Sequence, residues 1–237
     1  MPLIKITDTL VQGLAGLHFS MPVFMVYNPL EYARKPYDCY LNRYGRPPKE
    51  VVLLGMNPGP WGMAQTGVPF GEVRMVRDWL DIQAEIKPPA RMHPKRPVKG
   101  FSCSRSEVSG KRLWGWARET FVDPQRFFRR FFVANYCPLL FMEENGRNRT
   151  PNNLKAPERK ALQQVCDIAL RRTIKALKPR IVVGIGRFAA QRAQEALSGI
   201  DVRIGEILHP SPANPKANRN WRDQAVSQLS QMGISIP

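Results

Sequence analysis

The sequence predicts one α/β domain built on a central, mostly parallel four-stranded β-sheet with helices on both faces. Three observations predict it. Four short apolar runs rich in β-branched residues alternate with longer stretches of helical spacing, the pattern of parallel strands joined by helical crossovers. A length of 237 residues suits a single domain spanning 1–237. A hydrophobic fraction of 43% is enough to fill a substantial core.

The elements follow in chain order. Apolar spacing over residues 7–19 predicts a core helix. After the turn signal Asn28-Pro29, residues 31–41 read as a helix of mixed polarity. Val51-Val52-Leu53-Leu54, stopped by Gly55, reads as a buried strand. A turn-rich loop covers 57–67. Phe70, Val73, Val76, Trp79 and Leu80 give 69–82 helical spacing, with Pro69 suited to a first turn. Residues 87–99 hold four prolines and the cations Lys87, Arg91, Lys95, Arg96 and Lys99, so an irregular surface loop is expected. Helical spacing returns over 113–121, and 131–136 reads as a second strand ending at Cys137-Pro138. Residues 157–177 form the longest helical pattern, with Leu162, Val165, Ile168, Ala169 and Ile174 on one side. A strand over 180–185, a helix over 187–197, a strand over 202–208 and a helix over 221–232 complete the chain.

Charge is the unusual property. There are 36 Lys+Arg against 19 Asp+Glu, a formal net charge of +17. Such a balance speaks of partners rather than fold. Nucleic acid comes first, because each phosphate neutralised releases a counterion. An anionic membrane surface and a merely solvated basic surface are the alternatives. Cys39, Cys103, Cys137 and Cys166 contain no C-x-x-C pair. That spacing argues against a zinc site or an iron–sulfur cluster, and four free thiols suit a reducing compartment. The apolar stretch 10–26 is broken by Gln12, His18, Ser20 and Pro22 and lacks a basic leader, so neither a signal peptide nor a membrane span is expected.

In open α/β sheets, ligands bind outside the carboxyl ends of the strands. The first strand leads into Asn57, the second carries Asn135 near its end, and the fourth leads into His209. Each has an ordinary alternative: Asn57 as a turn former, Asn135 as a satisfied core amide, His209 as a strand cap. Their meeting at one rim favours chemistry.

Longer strings sharpen this. Residues 55–72, beginning Gly55-Met56-Asn57-Pro58-Gly59-Pro60-Trp61, resemble the first motif of the single-strand-selective monofunctional uracil-DNA glycosylases. His209-Pro210-Ser211-Pro212, with Asn214-Pro215 and Ala217-Asn218 before Trp221, resembles their second motif. Asn135-Tyr136-Cys137-Pro138-Leu139-Leu140 resembles a third segment. The resemblance implies a parallel sheet between helices, and hydrolysis of the bond between a deaminated base and deoxyribose. It implies that Asn57 positions the attacking water, Phe70 stacks on the flipped base, Asn135 reads its edge and His209 assists its departure. By the same resemblance, Gly55, Met56, Pro58, Gly59 and Met63 are expected to complete the substrate pocket. Pro210, Ser211, Pro212, Ala213, Asn214, Lys216 and Arg219 form the loop that opens the base stack and holds phosphates. Familiar vertebrate members carry Arg where Ala213 stands, so either weaker plugging of the stack or plugging by a neighbouring residue is expected. Trp61 replaces a more familiar Phe.

These residue types suit that chemistry. Rupture of the glycosidic bond leaves negative charge on the base, largely at its 2-oxygen, and cationic character on the sugar. A donor such as His209 aimed at that oxygen is worth roughly 2.7–4 kcal/mol of barrier. Water attacking a cationic sugar needs positioning more than activation, which an amide such as Asn57 supplies. Asn135 offers one acceptor and two donors, matching the N–H and 4-oxygen of uracil and not of cytosine. Gly59 stands where relatives specialised for uracil carry a bulkier residue, so 5-hydroxymethyluracil and similar bases are expected to enter, with Met63 on the same side.

The expected enzyme needs no cofactor, metal or iron–sulfur cluster, acts as a monomer on single- and double-stranded DNA, and lies inside the cell with DNA. Two other readings remain. One is a DNA-binding module without catalysis. The other is a dinucleotide-binding oxidoreductase, because Gly184-Ile185-Gly186-Arg187-Phe188-Ala189 fits G-x-G-x-x-A between a strand and a helix. The next acids, Glu195 and Asp201, stand closer than the ~20 residues that fingerprint expects.

Overall fold

A computed structural model describes residues 2–237. Its centre is a four-stranded sheet of β2 (Val51–Gly55), β3 (Phe131–Asn135), β6 (Ile181–Ile185) and β7 (Arg203–Ile207). All pairings in it are parallel, in the order β3-β2-β6-β7. Every residue of β2 and β6 is buried. Successive strand side chains point to opposite faces, so both faces of the sheet are covered. Among the helices, α1 (Pro2–Ala15), α7 (Ala156–Leu177) and α8 (Arg187–Ala196) pack together, as do α5 (Val108–Phe121), α6 (Pro124–Arg130) and α9 (Pro215–Gln231). The expected α/β architecture is what forms.

A second sheet was not expected. β1 (Met25–Tyr27), β4 (Leu140–Met142) and β5 (Asn148–Arg149) pair antiparallel in the order β1-β4-β5. These strands are too short for an alternating pattern to show in sequence. Short α6 was also missed. Asp123 caps it, accepting from Gln125 N at 2.7 Å, and it buries Phe127 and Phe128.

Other boundaries moved for local reasons. The first helix runs from Pro2 to Ala15, earlier than 7–19. The helix expected over 31–41 divides at Ala33 into α2 (Pro29–Tyr32) and α3 (Arg34–Tyr44). The loop 57–67 contains the turn α4 (Met63–Thr66). The helix expected over 69–82 is confined to 73–79 and includes a π-helical turn, Met75–Trp79. Glu72 starts it, accepting from Met75 N at 3.0 Å. Phe70 precedes it in the left-handed region, φ +54°. Ile168, expected on the apolar side of α7, is half exposed. The helix expected over 221–232 begins at Pro215, with a break at Asn220. The loop 87–99 is irregular, as expected, yet its His93 is fully buried.

The glycines of the G-x-G-x-x-A string have packing roles. A Cβ on Gly184 would stand 2.2 Å from Ala190 N, so its absence lets α8 lie against β6. Gly186 turns the chain at φ +89°, and a Cβ there would stand 3.0 Å from His209 Cβ.

Candidate active site

Because β3 and β6 flank β2 on opposite sides, the connections from the sheet diverge at the carboxyl end of β2, the place where α/β sheets open a crevice. A cavity of about 400 Å³ lies there. Its wall includes Met56, Asn57, Gly59, Phe70, Asn135, His209, Ser211 and Pro212. The three strand-end residues therefore meet at one rim.

Register brings the first pair together. Gly55 lies opposite Asn135, at the ends of β2 and β3. A Cβ on Gly55 would stand 2.5 Å from both Asn135 Oδ1 and Phe70 Cε2. Gly55 therefore sits beneath the site and clears room for both side chains. Beyond the strand ends the two chains stay joined, with Tyr136 N donating to Gly55 O and Cys137 N to Met56 O, each at 2.9 Å.

Both amides are half satisfied. Asn57 Nδ2 donates to Leu139 O at 3.3 Å, while its Oδ1 is buried without a partner. Asn135 Nδ2 lies 3.2 Å from Met63 Sδ, and its Oδ1 is likewise buried and unpartnered. A buried oxygen left so costs about 1–3 kcal/mol, recoverable when a ligand donates to it. Met63 does not line the cavity as expected; it is buried behind Asn135 and turns the amide nitrogen towards its sulfur.

Phe70 is held through its backbone. A bulky residue at positive φ is strained by about 1–3 kcal/mol. Phe70 keeps that conformation because Glu72 N donates to its carbonyl at 2.7 Å, and because α5 presses on it: a Cβ on Gly110 would stand 2.0 Å from Phe70 O.

His209 is fixed from several directions. Its Nδ1 accepts from Ser211 N at 3.1 Å. The preceding Leu208 accepts from Trp221 Nε1 at 2.6 Å and donates to Gln228 Oε1 at 2.8 Å. Arg112 of α5 donates to Pro210 O at 2.9 Å and to Asn218 Oδ1 at 2.9 Å. Burial holds the imidazole pKa below its ordinary value. A neutral ring accepting at Nδ1 carries its proton on Nε2. His209 is thus a preset N–H donor in the cavity wall.

Several wall residues were not anticipated: Glu107, Ser109, Asn148 and Thr150. Glu107 caps α5, accepting from Ser109 N at 3.2 Å and Gly110 N at 2.7 Å. Burial pushes its carboxyl pKa up, and those two N–H bonds oppose the rise. Gly59 faces it: a Cβ there would meet Glu107 Cγ at an ordinary 3.5 Å. Gly59 has no positive φ, so the backbone does not require glycine there. Asn148 Oδ1 is a further buried oxygen without a partner. Glu is not an ordinary helix-capping residue, and nothing local in sequence marked Glu107 or its approach to Gly59 across the fold.

Of the expected DNA-binding loop, Ser211 and Pro212 reach the cavity, and Pro210 is buried beneath it. Pro212, Ala213, Lys216 and Arg219 are exposed. Asn214 caps α9, accepting from Lys216 N at 3.1 Å. Pro58 is buried, and its carbonyl lies 3.5 Å from Asn148 Nδ2. Among the described residues, no cluster of three or more His, Cys, Asp or Glu is placed to hold a metal, and no helix is long and apolar enough to cross a membrane.

Comparison with known proteins gives the family and the fold. The family model described as the Uracil DNA glycosylase superfamily matches residues 43–230. The single-strand selective monofunctional uracil-DNA glycosylase of Rattus norvegicus is 52% identical over 223 residues, 93% of this chain and 80% of the relative. The Bos taurus protein of the same description is 49% identical over 233 residues, 98% of this chain and 84% of the relative. The crystal structure of wild-type SMUG2 from Pedobacter heparinus superposes with a TM-score of 0.68 at 17% identity, covering 97% of this chain and 99% of that one, a likeness of fold.

Proposed function

The chain belongs to the uracil DNA glycosylase superfamily, and from that premise we propose that it is a monofunctional DNA-repair enzyme hydrolysing the N-glycosidic bond of uracil in DNA. The observation that carries the mechanism is the hydrogen bond from Ser211 N to His209 Nδ1, which leaves Nε2–H as the donor in the cavity.

The base leaves the stack and enters the cavity, at a cost of a few kcal/mol. Phe70 stacks on it, worth about 1–3 kcal/mol. Asn135 Oδ1 accepts from the ring N–H, and its NH₂ donates to the 4-oxygen. As the glycosidic bond breaks, its electron pair goes to the base, and His209 Nε2–H stabilises the charge on the 2-oxygen. Asn57 Oδ1 accepts from a water, directing its oxygen at the sugar. The water adds to the anomeric carbon and gives up a proton, which the departing base anion takes up through solvent, leaving an abasic site and neutral free base. Among the described residues that line the cavity none is a lysine, and we read the reaction as release of the base without strand cleavage.

The pocket also suits 5-substituted uracils such as 5-hydroxymethyluracil. Gly59 leaves the wall open as far as Glu107, whose carboxyl oxygens each keep accepting capacity for a substituent hydroxyl. We read the substrate as single- and double-stranded DNA and the enzyme as a monomer working with DNA inside the cell. The first two motif loops and the neutral donor need no cofactor in this scheme.

The test is direct. A uracil-bearing oligonucleotide, single- or double-stranded, is incubated with the protein in EDTA and then treated with hot alkali. Cleavage at uracil only after alkali is expected. No cleavage of either substrate would refute the activity.

A further inference from the structure

We propose that Trp61, Arg96 and Arg105 form a phosphate-binding surface at the cavity mouth that holds the DNA strand flanking the flipped base. The proposal deepens the glycosylase reading by giving a role to the cationic proline-rich loop, and it adds to the Pro210–Arg219 side of the site.

Trp61 lines the cavity with Ser211 and Pro212. The guanidinium carbons of Arg105 and Arg96 lie 4.6 Å and 5.3 Å from its ring centroid. Neither arginine joins an ion pair among the described residues. Among the described residues the Arg105 side chain donates no hydrogen bond, and the Arg96 side chain donates only from Nη1 to Lys95 O at 3.1 Å. Arg96 Nε is buried and unpartnered. Stacking on an aromatic face fixes the guanidinium plane and leaves its in-plane N–H groups free, which suits bidentate recognition of phosphate. Two guanidiniums drawn to one ring repel each other, and a shared anion removes that cost.

The loop is built to hold this arrangement. Buried His93 accepts from Lys95 N at 3.1 Å, and its Nε2 lies 3.0 Å from Glu143 O. Tyr27 OH donates to Arg96 O at 2.9 Å and accepts from His93 N at 2.7 Å. Buried Gln65 ties the loop to the motif carrying Trp61: its Nε2 donates to Pro60 O at 2.8 Å and Pro97 O at 3.1 Å, and its Oε1 accepts from Lys99 N at 2.8 Å. Arg96 is therefore held in register with the motif that carries Trp61, while Arg105, two residues ahead of the Glu107 cap of α5, reaches the same ring from the other segment.

The experiment measures binding, independent of excision. Fluorescence anisotropy follows single-stranded DNA bearing one tetrahydrofuran abasic analogue across a salt series. Arg96→Ala and Arg105→Ala are each expected to lower the slope of log K against log salt by about 0.7, one phosphate contact on a single strand. Arg180→Ala is the control. Its side chain is 77% exposed and it precedes β6, at the amino end of the strands and away from the site at their carboxyl ends. That variant removes the same charge and is expected to keep the wild-type slope. Arg105→Ala removes no side-chain hydrogen bond among the described residues, so it decides the matter even if Arg96→Ala destabilises the fold. An unchanged slope for Arg105→Ala, or an equal loss for Arg180→Ala, overturns the proposal. Failure of the glycosylase reading would instead show as absence of alkali-labile product from the wild-type protein.

Discussion

The ends of β2 and β3 and the end of β7 prepare their side chains in opposite ways. At the first two, Asn57 and Asn135 are each anchored through nitrogen and hold a buried oxygen without a partner. At the third, His209 is fixed by Ser211, while Trp221, Gln228 and Arg112 fix its neighbours. The difference matches their tasks. The amide oxygens are acceptors left empty for groups that arrive with the substrate, the uracil N–H and a water hydrogen. The imidazole is a donor that meets charge only as the bond breaks. A donor oriented beforehand reorganises little at that moment, which is where electrostatic stabilisation gains most.

Changing the amide arm tests this contrast most severely. Asn135→Asp, ionised, loses the donors for the 4-oxygen and places charge beside it. Uracil excision is expected to fall by about 10⁴-fold, the scale on which a mispaired buried edge rejects a base. Single-turnover kinetics on uracil DNA would measure it, and unchanged kinetics would remove Asn135 from the edge-reading role. In the imidazole arm, His209→Ala is expected to lower kcat by about 10²–10³-fold with little change in affinity for abasic-analogue DNA. Asn57→Ala is expected to cost about 10²-fold in turnover, the scale of misplacing a reactant by an ångström. Loss of DNA binding in that variant would show a structural role instead.

A smaller effect is expected where the wall is open. Gly59→Ala adds a Cβ that meets Glu107 at an ordinary 3.5 Å, so the fold should accept it. The ratio of kcat/KM for 5-hydroxymethyluracil to that for uracil is expected to fall about tenfold, the lower end for one carbon in a pocket. A ratio that stays constant would separate Gly59 from the 5-substituent.

The contrast between the arms also shows what sequence carries. The two central strands of the main sheet were legible because a doubly covered strand needs an unbroken apolar run, as in Val51–Gly55 and Ile181–Ile185, whereas edge strand β7 is half exposed and carries Arg203 and Glu206. From the strand ends, the placement of Asn57, Asn135 and His209 followed. The strained turn at Phe70 was not legible, since helical spacing over 69–82 hides a residue held at positive φ by α5. Nor was Glu107, whose place in the wall depends on α5 crossing to Gly59. Met63 was placed on the pocket wall, when its sulfur instead orients Asn135. What sequence missed are contacts between segments distant in the chain; what it gave are residues at the ends of self-evident strands.

The smallest expected effect concerns pH, and it bears on which form of His209 works. Burial holds the imidazole pKa below 6.5 in the folded protein. The unfolded chain therefore takes up a proton first as pH falls. Stability linked to His209 is complete above about 6.5 and is lost as pH drops from there through the folded value. Urea unfolding at a series of pH values should show that loss in the wild-type protein and less of it in His209→Gln. Catalysis should follow the same protonation: kcat is expected to stay level from pH 8 to 6.5, where the neutral ring donates through Nε2. Protonation at Nδ1 would break the bond from Ser211 N and free the ring from its preset direction. A kcat that rises as pH falls through 6.5 would identify the imidazolium as the working form, and the contrast between a preset donor and waiting acceptors would no longer hold.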